Sequence, residues 1–215
     1  MNKERAMERM GTSEVIQMLA AIAEAMSSQR EYLIELDSVI GDGDLGITMD
    51  KGFRAAYAYA QEHTDLPPGD LLMRSGMQIV KTAPSTMGTL MGSGLMRGGK
   101  AVSGKDSLDT QDIVTFFEGF LQGVSERGKA KRGEKTIIDV LLPLVEGMKA
   151  YTGRDFEEVF SVGVEGALAG LEAEKGMMSQ HGKAAVFREK TLDLTDPGSA
   201  AIVIFIEACH KSVCN

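Results

Sequence analysis

Apolar residues recur along this chain at steps of three and four, the spacing that gathers them on one face of an α-helix. Val15, Met18, Leu19, Ile22 and Met26 form the first such stripe, with Thr12 or Ser13 placed to cap its start. The same helix is expected to run on through Tyr32, Leu33 and Leu36. A second helix is predicted over Met49 to Glu62 and a third over Leu71 to Lys81, separated by the break at Pro67-Pro68-Gly69. Ile113, Phe116, Phe117, Phe120, Leu121 and Val124 make the next stripe, closed by Arg127-Gly128. Ile137, Ile138, Leu141, Leu142, Val145 and Met148 follow, interrupted by Pro143, and then Phe156, Val159, Phe160, Val164, Leu168 and Leu171.

Two segments read less simply. Ala200 to Ile206 has the β-branched content of a strand, but Asp196-Pro197-Gly198 before it supplies an N-cap and a first-turn proline, so a helix is expected. Ser85 to Gly104 is rich in Gly, Ser, Thr and Met and reads as a loop feeding a helix that packs closely on its neighbours. Alternating strand patterns are scarce, and no repeat or low-complexity tract appears. The fold class predicted is all-α, as one domain over 12–215 preceded by an N-terminal extension at 1–11.

Composition narrows the function. The 215 residues carry 31 acidic and 23 basic side chains, a net charge of −8, which argues against general affinity for nucleic acid or anionic membrane. Any nucleotide must be held by local devices. Met1 to Met10 is charged throughout and lacks the apolar core of a signal peptide. No segment is long enough to span a bilayer. Cys209 and Cys214 would close only a tiny loop, so two reduced thiols in a cytoplasmic protein are expected, with a metal site shared with His210 as a minor reading. The 14 methionines suit an adaptable core.

The chemistry concentrates in Asp37-Ser-Val-Ile-Gly-Asp42-Gly-Asp44-Leu-Gly-Ile-Thr-Met49, where three aspartates alternate with three glycines. Asp and Gly also build ordinary turns and caps, but this is more acid than one turn can use. Three carboxylates about 5 Å apart repel by roughly 3 kcal/mol per pair at an effective dielectric near 20, so the run calls for a cation. Oxygen-only ligands favour Mg²⁺ or Ca²⁺. An EF-hand counted from Asp42 would need Gly and Glu where Ile47 and Phe53 stand. An aspartyl-nucleophile phosphatase would want a buried strand before the first Asp, and only Val39 and Ile40 precede Gly41.

Other signals are weaker alone. Gly94-Leu-Met-Arg-Gly-Gly-Lys-Ala101 nearly matches a P-loop but lacks the Ser or Thr hydroxyl that Mg²⁺ requires. Arg127-Gly-Lys-Ala130 with Gly133-Glu-Lys-Thr-Ile137, and His181-Gly-Lys-Ala184 with Asp196-Pro-Gly198, offer cations and helix starts where a nucleotide could lie. His63, His181 and His210 hold no paired metal spacing, and no Gly-x-Ser-x-Gly elbow is present.

Read in order, Leu36 to Gly46, Ser85-Thr-Met-Gly-Thr-Leu-Met-Gly92, Arg127 to Ala130, Gly133 to Thr136, Gly182-Lys-Ala and Asp196-Pro-Gly make a chain that resembles the nucleotide-binding L subunit of dihydroxyacetone kinase over roughly residues 12 to 210. The resemblance implies a barrel of about eight amphipathic antiparallel helices, with ADP or ATP and two Mg²⁺ ions in the loops at one end. It implies Asp37, Asp42 and Asp44 as the Mg²⁺ ligands. Leu45, Gly46, Ile47, Thr48, Ser85, Thr86, Met87, Gly88, Gly128, Ile137, Lys183, Asp196, Pro197 and Gly198 would line the nucleotide, with Lys183 also catalytic.

The departures from the family pattern mark a divergent branch. Leu45 and Thr48 stand where His and Asn are usual, Ser85-Thr86-Met87-Gly88 replaces a Gly-Ala-Ser-Gly phosphate loop, and Lys183 replaces an Arg, keeping the charge without the bidentate fork. The activity implied is transfer of a γ-phosphoryl to a hydroxyl of dihydroxyacetone or a related keto-sugar held on a separate K subunit. The donor is either exchangeable ATP or a retained ADP rephosphorylated by a phosphoenolpyruvate-linked phosphocarrier. A catalytically impaired nucleotide-binding regulatory or interaction module is the alternative, and fatty-acid kinase a related enzyme with further domains. Homodimerisation stays open.

Overall fold

In the computed structural model, which describes residues 8–214, the helical spacing is realised throughout. Among the described residues nine α-helices form: α1 (Thr12–Ser28), α2 (Arg30–Ile40), α3 (Leu45–Glu62), α4 (Pro68–Thr82), α5 (Thr86–Ala101), α6 (Thr110–Gly128), α7 (Ile137–Ala150), α8 (Phe156–Ala173) and α9 (Pro197–Val213). A 3₁₀ segment covers Ala184–Thr191, and no strand occurs among the described residues. Most of the expected N-terminal extension lies outside the described residues. Met10, at its end, is fully buried and bonds Leu108 through both its N–H and its carbonyl.

The packing closes a ring. α1 lies on α3, contacts continue in order from α3 to α9, and α9 returns to α1. Eight helices therefore make the barrel, as expected, while α2 sits outside against α3 and α9 and buries only Leu33 and Ile40. Phe205 of α9 ties the centre together, with its ring 5.8 Å from Phe53, 5.5 Å from Phe120 and 6.3 Å from Phe117. Each such pair contributes about 0.5–1.5 kcal/mol beyond area burial.

Three local expectations change. Gly11, not Thr12 or Ser13, caps α1, its N–H held by Glu14 Oε2 at 2.9 Å while the Thr12 hydroxyl donates to the Leu66 carbonyl. The first helix stops at Ser28, and α2 restarts after Gln29, carrying Asp37 in its last turn. Ser85 to Gly104 is helical almost from its first residue, because Ser85 Oγ accepts the Gly88 N–H at 3.1 Å and starts α5 at once.

Glycine within a helix costs about 1 kcal/mol relative to alanine, and tertiary approach offsets that cost in α5. A Cβ on Gly98 would sit 2.6 Å from the Phe116 carbonyl oxygen of α6, and one on Gly99 2.5 Å from the Met73 nitrogen of α4. Backbones meet there with no room for a side chain. The near P-loop run is mid-helix in α5 and packs against Phe116 and Phe120.

A buried polar knot joins the barrel to the segment between α8 and α9. Lys135, 1% exposed and held at φ +54°, donates to the carbonyls of Thr191 at 2.5 Å and Leu192 at 3.1 Å. Glu174, equally buried, accepts the Asp196 N–H at 2.9 Å. Burial lowers the Lys135 pKa, partly countered by Glu174, Asp196 and Asp193, and burial pushes Glu174 up to about 7.

Two outcomes follow. Gly99→Val should drive a side chain into the α4 backbone and lower stability by about 1–3 kcal/mol, read as a lower urea midpoint. For Glu174 the folded state holds the proton more tightly than the unfolded chain, so its contribution is present below the usual value of 4.5 and is lost as pH rises toward about 7. Glu174→Gln keeps the acceptor and removes the titration. Wild-type stability relative to this variant should fall by up to about 3 kcal/mol across that window, and parallel pH profiles for the two proteins would contradict the assignment.

Candidate functional site

The last turn of α2 and the loop into α3 bring the three aspartates together. One carboxylate oxygen from each of Asp37, Asp42 and Asp44 lies within 4.8 Å of the other two. Gly43, at φ +70°, makes the turn that a side chain would resist. Asp37 Oδ2 accepts the N–H groups of Asp44 at 2.9 Å and Leu45 at 3.2 Å, so it caps α3 and leaves its other oxygen for a ligand. The donor set is all hard oxygen, which fits Mg²⁺ or Ca²⁺. The Lys183 ammonium hydrogen-bonds the Asp42 carboxylate, so a cation entering the cluster competes with it.

Beside the cluster opens a cavity of about 970 Å³, a size suited to a small-molecule ligand. In the antiparallel ring α3, α5, α7 and α9 all begin at this end. Each helix start carries roughly half a positive charge and unpaired N–H groups, a ready site for anions. Ser85 caps α5, Thr136 and Asp139 form a capping box on α7, and Asp196 caps α9 through the Ser199 N–H at 2.8 Å. Burial raises the Asp196 carboxyl to about 6. Val80, Leu90, Val124 and Ile138 give the cavity an apolar wall.

The sequence-predicted residues divide cleanly. Asp37, Asp42, Asp44, Leu45, Ser85, Thr86, Met87, Gly128, Ile137, Lys183, Asp196, Pro197 and Gly198 line the cavity. Gly46, Ile47, Thr48 and Gly88 do not. Gly46 faces the Arg30 carbonyl of α2, where a Cβ would lie 2.1 Å away, and Gly88 faces the Ala83 carbonyl at 2.0 Å. Thr48 is buried one turn into α3, its N–H on the Asp44 carbonyl, and Ile47 points outward at 47% exposure.

The site also recruits groups without a motif of their own. His181 Nε2 meets Glu134 Oε2 at 2.6 Å, and the Gln180 N–H donates to the Glu134 carbonyl at 3.1 Å, tying the loop before α7 to the segment that carries Lys183. A backbone hydrogen bond from Lys131 and the His181 contact hold Glu134 below its ordinary pKa. Lys135 and Thr136 line the floor. The Gly-basic segments hinted at this loop pair, but nothing local announced Glu174 as the anchor beneath Asp196.

Comparison with known proteins agrees with the geometry. Residues 39–211 match the DAK2 domain family. The chain is 33% identical to "PEP-dependent dihydroxyacetone kinase 2, ADP-binding subunit DhaL" of Listeria innocua, covering 98% of this chain and 99% of that one. It is 26% identical to the Escherichia coli K12 "PEP-dependent dihydroxyacetone kinase, ADP-binding subunit DhaL", covering 91% and 94%. The crystal structure of the dihydroxyacetone kinase from C. freundii in complex with AMP-PNP and Mg²⁺ shares the fold at a TM-score of 0.68 and 18% identity, over 99% of this chain and 37% of the longer kinase. The chain belongs to the DAK2 domain family, the family of the nucleotide-binding L subunit of dihydroxyacetone kinase.

Proposed function

We propose that this chain is the Mg²⁺-dependent nucleotide-binding subunit of a kinase that phosphorylates dihydroxyacetone or a related small keto-sugar held on a separate K subunit. The observation that carries the reading is the meeting of three carboxylates and four helix N-termini on one cavity. Acid alone would repel a polyphosphate and helix starts alone would bind any anion. Together they suit an anion that arrives with a divalent cation. The names of the Listeria and Escherichia relatives, and the AMP-PNP and Mg²⁺ of the C. freundii complex, support the same assignment.

The residue roles follow from chemistry. Asp37, Asp42 and Asp44 would hold the metal, which when bound supplies charge neutralisation at the β- and γ-phosphates. Thr86 and Met87 at the start of α5, with Gly198 at the start of α9, present backbone N–H donors to phosphate oxygens. Lys183 sits against Asp42, within reach of charge developing on a transferred group, and acts as a positioned cation. Met87, Leu90, Ile137 and Ile138 offer an apolar bed for the base. The general base and the sugar come from the partner subunit.

Exposed apolar side chains support partner docking at this mouth. Val39, Ile47, Val186 and Phe187 are 55%, 47%, 81% and 39% exposed, and they flank Ile40, Leu45 and Ala184 of the cavity lining. Isolated surface apolar residues are ordinary; four that neighbour lining residues in the sequence, beside a site that must exclude water, are better suited to being covered.

Two measurements test the reading. Asp42→Asn with Asp44→Asn should abolish Mg²⁺-dependent ADP binding by calorimetry, while circular dichroism keeps its helical signal, since Asp37 still caps α3. Unchanged affinity would remove the metal assignment. The phosphoenolpyruvate-linked scheme expects ADP to survive dialysis and gel filtration of the wild-type protein with Mg²⁺. Exchange within seconds would favour free ATP as donor, and tight binding without transfer in the presence of the cognate K subunit would favour a regulatory module.

A further inference from the structure

At the end of the barrel remote from the nucleotide cavity, the last turn of α9 meets the first turn of α8. His210 lies in the last turn of α9 and Cys214 is its C-cap, four residues on and one turn along the same side. Glu157 comes up from the first turn of α8. One ligand atom from each of Glu157, His210 and Cys214 lies within 4.8 Å of the other two. His210 Nε2 is buried with no hydrogen-bond partner, a state that costs about 1–3 kcal/mol unless something fills it. Cys209, the other cysteine, is buried in the core and takes no part.

We propose that Glu157, His210 and Cys214 form a zinc site, with the fourth coordination position filled by water.

The donor types decide the metal. A thiolate, an imidazole and a carboxylate are a set that Zn²⁺ prefers and Mg²⁺ does not. Tetrahedral zinc keeps its ligand atoms roughly 3.5 Å apart, so closure from within 4.8 Å asks only for side-chain rotation at Glu157 and Cys214, both exposed enough to make it. The C-terminal end of α9 carries partial negative charge that favours a cation. Asp155 Oδ1 accepts the N–H groups of Glu157 and Glu158 at 2.8 and 3.3 Å, which fixes the first turn of α8 from which Glu157 projects. Burial, with the Glu157 and Asp155 carboxylates, pushes the Cys214 thiol up. Zinc uptake therefore releases the thiol proton to solvent as the S–Zn bond forms, with no change of oxidation state.

The ion would staple the start of α8 to the end of α9. The other ends of these two helices meet at Glu174 and Asp196, beside the cavity. Zinc would thus stabilise the helix pair that carries the α9 cap without touching the nucleotide, and the site does not depend on the kinase reading.

The test uses the reduced full chain with excess MgCl₂ and Co²⁺ as a spectroscopic probe. One equivalent of Co²⁺ should give a thiolate charge-transfer band that Zn²⁺ bleaches, and Zn²⁺ alone should raise the melting temperature. Cys214→Ser, which keeps a donor for the His210 carbonyl now bonded at 3.2 Å, should lose the band and the thermal shift while keeping its helical content. His210→Gln should weaken Zn²⁺ at least about 10–100-fold, the range that outer-shell partners alone command. The band should persist in the Asp42→Asn, Asp44→Asn protein. Absence of a thiolate band in the wild type, or thermal stabilisation by Zn²⁺ unchanged in Cys214→Ser, would overturn the proposal.

Discussion

Helix starts must satisfy their own N–H groups, and in this barrel four of them must do so at the same place. α3, α5, α7 and α9 all begin at one end, so the caps that stop these helices from fraying are also the walls of the cavity. Asp37 closes α3, Ser85 closes α5, Thr136 and Asp139 close α7, and Asp196 closes α9. Local helix chemistry and ligand chemistry draw on one set of atoms. A cap contributes about 1 kcal/mol, modest beside the core, yet each fixes where the next backbone donors face.

The carboxylates impose the opposite demand. Asp37, Asp42 and Asp44 crowd within 4.8 Å, and their mutual repulsion is tolerated through partial compensation: Asp37 by two backbone donors, Asp42 by Lys183. The same repulsion is what a divalent ion would relieve, in keeping with the proposed metal role. Positive helix ends and negative side chains around one cavity make a site of mixed charge, the pattern that the proposed metal-bound polyphosphate would match.

Rigidity beneath the site comes from long-range polar ties. Lys135 reaches the carbonyls of Thr191 and Leu192, Glu174 reaches the Asp196 N–H, and Glu134 holds both His181 and Gln180. These bonds fix the segment that carries Gly182 and Lys183 over the cavity, although that segment has little core of its own: Val186 and Phe187 point outward. Order there rests on hydrogen bonds to charged side chains, of which Lys135 and Glu174 are buried, whereas the centre around Phe205 is held by aromatic packing.

Much of this was legible in the chain. The apolar stripes of α1, α6, α7 and α8, the Asp196-Pro197 start of α9 and the aspartate cluster are written in short-range spacing, because helix faces and caps depend on residues three or four apart. The ordered series of motifs was enough to indicate the family. Tertiary structure alone decided what spacing cannot encode. The break at Gln29, the helicity of glycine-rich α5 and the retreat of Gly46, Thr48 and Gly88 from the cavity depend on neighbours distant in sequence: the Arg30 carbonyl excludes anything at 46, and Phe116 and Met73 reward bare backbone at 98 and 99. The pairing of Lys135 with carbonyls 56 and 57 residues away belongs to the same class. Sequence determined the helices, their caps and the dense aspartate cluster; closing the ring decided which of those caps share a cavity, since only packing brings remote polar groups out of water and onto one another.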